Sequence, residues 1–227
     1  MRRLLYVPII HSEADLGSIS AALVQTSIMR LGEQRWATHK ETVCKFWSSV
    51  AAFLSSLDPS QLRIYQDGLA TDGEVGRRIV EEAARRGSKN YQLVLELLNK
   101  GAGLRKTESP DLLIREHENV LALAQEESTK KHQRVARRYR LVRDSLMKER
   151  DKFIADNINA TLKEGELGVL FIGAYHNVIP CLATDISVEA VKDPQQMVAY
   201  FGELFLGQNN DRFAELTQYL RSPIMVS

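Results

Sequence analysis

The chain has 227 residues, 44% hydrophobic and 26% charged, the balance of an ordinary globular protein, which argues against disorder. With 30 Lys and Arg against 29 Asp and Glu, a net charge of +1 supplies no global attraction to nucleic acid or anionic lipid. The two cysteines, Cys44 and Cys181, have no metal-ligand spacing and no disulfide framework, and read as buried or half-buried thiols in a reducing compartment.

Arg2-Arg3 followed by the apolar run Leu4 to Ile10 lacks a small-residue cleavage site and contains Pro8, so it reads as a strand covered on both faces. Nothing approaches the about 18 apolar residues of a membrane span, and a cytoplasmic protein is expected. Ile19, Leu23, Ile28 and Leu31 mark a first helix, with Gly32 as its stop. Val43, Phe46, Trp47, Val50, Phe53, Leu54 and Leu57 mark a second helix, from Thr38 to Leu57, closed by Asp58-Pro59.

Leu62 to Tyr65 is a short strand. Thr71-Asp72-Gly73-Glu74 offers a capping box for a helix to about Arg86, and another helix runs from Tyr91 to Leu98. A short strand ends near Glu108. Ser109-Pro110 opens a long helical stretch to Gly165, with a break near Glu127-Ser128 and one face formed by Val135, Tyr139, Val142, Leu146, Phe153, Ile158 and Leu162. Gly168 to Gly173 is the clearest buried strand. Ile186 to Val191 is a further strand, Asp193-Pro194 caps a helix to about Leu206, and Asp211 to Leu220 is the last helix.

Alternating strands and helices predict one α/β domain over residues 1–227, a mostly parallel central sheet flanked by helices and helix-rich. The helical region of about 110–163 is placed as a cap or subdomain.

Ligands of an open parallel sheet bind outside the carboxyl ends of its strands. His11, Asp67 and His176 each follow a strand, and Glu108 is a fourth candidate there. Two imidazoles and a carboxylate, His11, His176 and Asp67, suit a divalent manganese, cobalt or zinc ion with room for water or substrate. Without metal, one His serves as general base, oriented by Asp67 or Glu108, and the other as acid. Arg150 is placed to present a guanidinium to negative charge. Glu13 and Asp15 beside His11 either add ligands or cap the next helix. His39, His117 and His132 lie in charged helical segments and are expected at the surface. The basic run Lys130 to Arg143 is interspersed with acids and has no aromatic platform, so it reads as a solvated face rather than a nucleic-acid surface.

Arg150-Asp151-Lys152-Phe153-Ile154-Ala155, Gly165, and Gly173-Ala174-Tyr175-His176 together resemble the C-terminal signature of the TraB/ChaN/Tiki-like superfamily, related to the erythromycin esterases. His11 resembles its N-terminal histidine, with Pro8 where the family has glycine. Tyr65-Gln66-Asp67-Gly68 resembles its acidic post-strand turn, with Asp67 where Glu is usual, and Leu104 to Glu108 its second acidic segment. The resemblance implies an α/β fold with pseudo-symmetric halves and a site using both histidines and acidic residues.

Members include metal-dependent proteases, esterases and a haem-binding lipoprotein. The expectation is therefore a hydrolase acting on an amide or ester bond of a small molecule or peptide. The alternative is a non-catalytic protein that binds metal, haem or a small metabolite in the same pocket, haem being the lesser expectation and Tyr175 its candidate ligand. A third reading has the long charged helix assembling a homo-oligomer.

Overall fold

The first strand, β1 (Arg2–Ile9), alternates its buried side chains between two cores, as a strand covered on both faces must. The computed structural model describes residues 1–12, 15, 20–124, 129–207 and 209–225, and within helices it leaves out the side chains of 20–23, 26, 120, 122–124 and 129–141. Ile19, Glu13 and the expected break at Glu127-Ser128 lie outside the described residues, as do the side chains of Leu23, His132, Val135 and Tyr139.

Four further strands follow: β2 (Leu62–Gln66), β3 (Gly103–Arg105), β4 (Leu167–Gly173) and β5 (Ile186–Ala190). They form one sheet in the order β3-β2-β4-β1-β5, with every pairing parallel. The central position of β4, between β2 and β1, explains why Gly168 to Ile172 is so apolar and so buried. The expected α/β fold with a mostly parallel sheet is what the chain forms.

Helices cover both faces. On one side Leu5, Val7, Ile9, Leu62, Ile64, Val169 and Phe171 of the strands meet α2 (Glu33–Ser55), α3 (Gly73–Arg85), α4 (Lys89–Asn99), α7 (Pro194–Phe205) and α8 (Asn210–Arg221). α1 (Ser20–Leu31) precedes α2, and α5 (Pro110–Ala124) packs on α6 (Thr129–Thr161). On the other side Leu4, Tyr6, Tyr65, Leu170 and Ile172 meet Ile154, Ala155, Ile158 and Leu162 of α6. Each fully buried side chain of this size contributes about 1.5–3 kcal/mol, so both cores are substantial. No helix among the described residues is long and apolar enough to cross a membrane.

Several local expectations are corrected. The capping box does not form: α3 begins at Gly73, Asp72 occupies the cap, and its side chain makes no capping hydrogen bond. Gly73 takes φ 61° there, and the cap lies one residue past Thr71. By contrast Asp193 caps α7, accepting from Gln195 N at 2.7 Å. β3 ends at Arg105, short of Glu108. The buried stripe of α6 takes Ile154 and Ala155, while Val142 is 37% exposed. Cys44 and Cys181 are both exposed, one on the outer side of α2 and the other in the turn after Ile179. His39 is buried rather than superficial. It lies one turn before Val43 on the inner face of α2, and its Nδ1 stands 2.9 Å from the Tyr200 hydroxyl. Burial pulls its pKa down to about 4, so it is neutral at pH 7.

Candidate functional site

The carboxyl ends of β2, β3 and β4 bring Asp67, Glu108 and His176 together. One ligand atom from each lies within 4.8 Å of the others. Asp67 directly follows β2. Its backbone N–H continues the ladder to Phe171 O at 2.9 Å, and its Oδ2 accepts from Gly173 N at 3.1 Å. Gly68, at φ 80°, then turns the chain away from the sheet. Glu108 is held because Thr107 N and Glu108 N both donate to Leu69 O, at 2.9 and 3.1 Å, and the Thr107 hydroxyl donates to Gln66 O.

His176 closes a turn onto Gly173 O at 3.1 Å, and the Tyr6 hydroxyl donates to the His176 carbonyl at 3.3 Å. A Cβ on Gly173 would stand 3.3 Å from Asp67 Oδ2 and 3.5 Å from the His176 ring, so glycine lets the two side chains meet.

The rear wall comes from α6. Asp151 accepts from His176 Nδ1 at 2.6 Å and from Asn177 N at 3.0 Å. This bond places the imidazole proton on Nδ1 and leaves Nε2, 3.6 Å from Asp67 Oδ2, as the atom that can bind or take a proton. The orienting carboxylate is thus Asp151, not Asp67 or Glu108. Asp151 and His176 are nearly buried, with side chains 7% and 5% exposed.

Arg150 is shared among three carboxylates. Its Nη2 lies 2.6 Å from Glu108 Oε1 and 3.1 Å from Asp67 Oδ1, its Nη1 2.5 Å from Glu116 Oε2, and its Nε 3.2 Å from Glu108. The guanidinium expected to meet a substrate's negative charge is therefore engaged by the protein itself. One guanidinium cannot fully compensate three carboxylates. Glu108, at 0% exposure, also lacks the water that still reaches Asp67 and Glu116, whose side chains are 17% and 28% exposed. Burial, with Asp67 adding to it, pushes the Glu108 carboxyl up to about 7 against the opposing pull of Arg150. For His176 burial acts to lower the pKa, but the Asp151 hydrogen bond and the Asp67 charge outweigh burial and Arg150 and raise it.

His11 stands apart from this trio. It follows β1, where Trp47 Nε1 donates to Ile10 O at 3.0 Å, and it is exposed. It lines a cleft of about 260 Å³ with Asp15, Gln66, Asp67, Asn90 and Tyr91, so Asp67 is the wall common to cleft and trio. Asp15 accepts from Ser12 N at 2.5 Å within its own turn. Tyr175 is 73% exposed and His117 is exposed.

Asp151 and Glu116 were not among the sequence candidates. Asp151 had a readable signal: with Leu146, Ile154, Ala155, Ile158 and Leu162 it lies on the buried stripe of α6, where an unpartnered acid is untenable. Glu116, on α5, had none.

Two carboxylates and an imidazole backed by a third carboxylate form a donor set suited to a divalent cation. The surplus of negative charge around Arg150 favours the same occupant. Comparison of the chain with protein-family models, curated proteins and solved structures finds no match.

Proposed function

We propose that the protein is a hydrolase that activates water at Asp67, Glu108 and His176 to cleave an amide or ester bond in a small molecule or peptide. The observation that carries this reading is the 2.6 Å Asp151–His176 hydrogen bond, which leaves Nε2 facing two carboxylates at the carboxyl ends of the strands. Manganese, cobalt or zinc fits this donor set, and when bound such an ion lowers the pKa of water and polarises a carbonyl. Asp67 and Glu108 would supply oxygen ligands and His176 its Nε2. Arg150 holds both carboxylates in place, and Asp151 fixes the imidazole. His11, across the cleft, is positioned to meet substrate rather than the ion. The family resemblance supports the same reaction class. Haem has less support, because Tyr175 is 73% exposed instead of lying within the buried cluster.

The test is metal analysis of the purified protein beside Asp67→Asn, Glu108→Gln and His176→Ala, with hydrolysis of ester and aminoacyl-anilide probes followed in parallel. Stoichiometric metal and probe hydrolysis, both lost in folded variants, are expected. A wild type that takes up none of manganese, cobalt or zinc overturns the metal. A metal-loaded protein that cleaves no probe of either class counts against the hydrolase and favours a binding role.

A further inference from the structure

The trio that the proposed reaction needs is nearly closed to solvent. The side chains of Glu108, His176 and Asp67 are 0%, 5% and 17% exposed. A substrate carbonyl cannot reach atoms so covered while every wall stays in place, so one wall has to move.

The walls differ in how firmly they are held. Asp67 extends the ladder between β2 and β4, two interior strands of the sheet. Glu108 is pinned by its own N–H and that of Thr107 on Leu69 O. α6 is anchored behind the site by the buried Leu146, Ile154, Ala155 and Ile158. α5 is different. It packs on α6, and none of its described side chains is fully buried, with Ile114 and Leu121 55% and 40% exposed. Local opening is easiest where buried apolar contact is least.

What fastens α5 is polar. Arg115 Nη1 lies 2.7 Å from Glu149 Oε2, but these side chains are 53% and 43% exposed, and such a pair contributes little. The next residue makes the inner fastening. Glu116 Oε2 accepts from Arg150 Nη1 at 2.5 Å, with the two side chains 28% and 8% exposed, so water and salt screen this pair less. It ends on the same guanidinium that holds Asp67 and Glu108, which sets the second turn of α5 beside the trio. The helix begins at Pro110, two residues after the pinned Glu108. A swing at Ser109-Pro110 therefore moves α5 without drawing Glu108 out of the site.

We propose that α5 is a lid on the trio, latched by the Glu116–Arg150 ion pair and hinged at Ser109-Pro110. The need for an opening rests on the hydrolase reading. The latch does not.

The experiment compares the metal-free wild type with Glu116→Gln, which weakens the latch, and Glu116→Lys, which Arg150 repels. Gln and Lys form helix about as well as Glu, and Arg150 keeps two carboxylates, so both variants should fold. Two readouts follow the lid. A 15-residue helix without its packing partner is marginal in water, so undocking appears as faster amide hydrogen exchange in α5. Opening also exposes His176 Nε2, read as its rate of modification by diethyl pyrocarbonate, with the remote, buried His39 as the control for general unfolding. Both rates are expected to rise about threefold in Glu116→Gln and about tenfold in Glu116→Lys, with His39 and the exchange of Ile154 to Ile158 unchanged. Either readout unmoved in Glu116→Lys overturns the lid, and so does a rise matched at His39. Rates that rise as expected in a protein that binds no metal and cleaves nothing would leave the lid standing while the hydrolase reading fell. Unmoved rates in a protein that hydrolyses the probes would do the reverse.

Discussion

Replacing Glu108 by Gln removes one buried charge and keeps the shape of the side chain. Glu108 is 0% exposed and its carboxyl is pushed from an ordinary 4.5 to about 7. At about 1.4 kcal/mol per tenfold in proton affinity, that displacement corresponds to about 3 kcal/mol. The sign follows from which state holds the proton. Between pH 4.5 and 7 the folded protein keeps a proton on Glu108 that the unfolded chain has released, so raising the pH through this window removes stability. Below 4.5 both states are protonated, and above 7 both are ionised and the full penalty stands. The amide introduced by Glu108→Gln has nothing to titrate.

Urea denaturation of the chelated protein, from pH 4.5 to 8, should therefore show the wild type losing about 3 kcal/mol relative to Glu108→Gln. His176, whose pKa is raised, also loses stability as pH rises, but it does so in both proteins and cancels in the difference. Saturating manganese, cobalt or zinc should remove the wild-type loss, because the ion binds the carboxylate and takes the proton's place. Parallel pH curves for wild type and variant would refute the reasoning. They would mean that Arg150 alone keeps Glu108 ionised and that the site holds no surplus of negative charge.

Three further outcomes are expected. Asp151→Asn removes the carboxylate that raises the His176 pKa. NMR titration should show that pKa fall, and metal affinity should drop about 10–100-fold; an unmoved titration would mean that Asp67 dominates. His39, pulled down to about 4, is a group whose stabilisation is lost as pH falls from 6.5 through 4, by about 3 kcal/mol. His39→Gln should flatten the acid limb of the stability curve, and an unchanged acid limb would assign acid unfolding elsewhere. Gly76→Ala drives a Cβ into the Thr71 carbonyl oxygen, a backbone atom that cannot swing aside, and should cost about 1–3 kcal/mol in chemical denaturation. Unchanged stability would mean that the Thr71 turn shifts freely.

The sheet was readable in the sequence where burial left one interpretation. Leu4 to Ile10 and Gly168 to Gly173 are too apolar for any place but the centre of a parallel sheet, and they are its neighbouring strands β1 and β4. Their neighbours were harder, because β3 has three residues and β5 packs less completely at an edge. Strand order was not readable at all. Nothing local says that β4 inserts between β1 and β2, since that pairing joins residues about a hundred positions apart. His39 failed for a different reason. Its neighbours Lys40 and Glu41 are charged, but helical geometry turns residue 39 onto the face of Trp36 and Val43.

The site shows the same division between local and long-range information. Asp67, Glu108 and His176 could be picked out because each follows a strand, and position after a strand is a local property. What they do together is decided by α6, which crosses behind them with Arg150 and Asp151 at adjacent positions. Adjacent helical residues differ by about 100° in direction, so the two side chains diverge. One reaches the carboxylates of β2 and β3, and the other the imidazole after β4. A basic and an acidic residue side by side on a charged helix would ordinarily be a solvated pair, but these two lie among Leu146, Ile154, Ala155 and Ile158. Burying both is tolerable only because each finds a partner of opposite charge or a hydrogen bond on a separate strand end. The helix thereby ties the ends of three strands into one polar network.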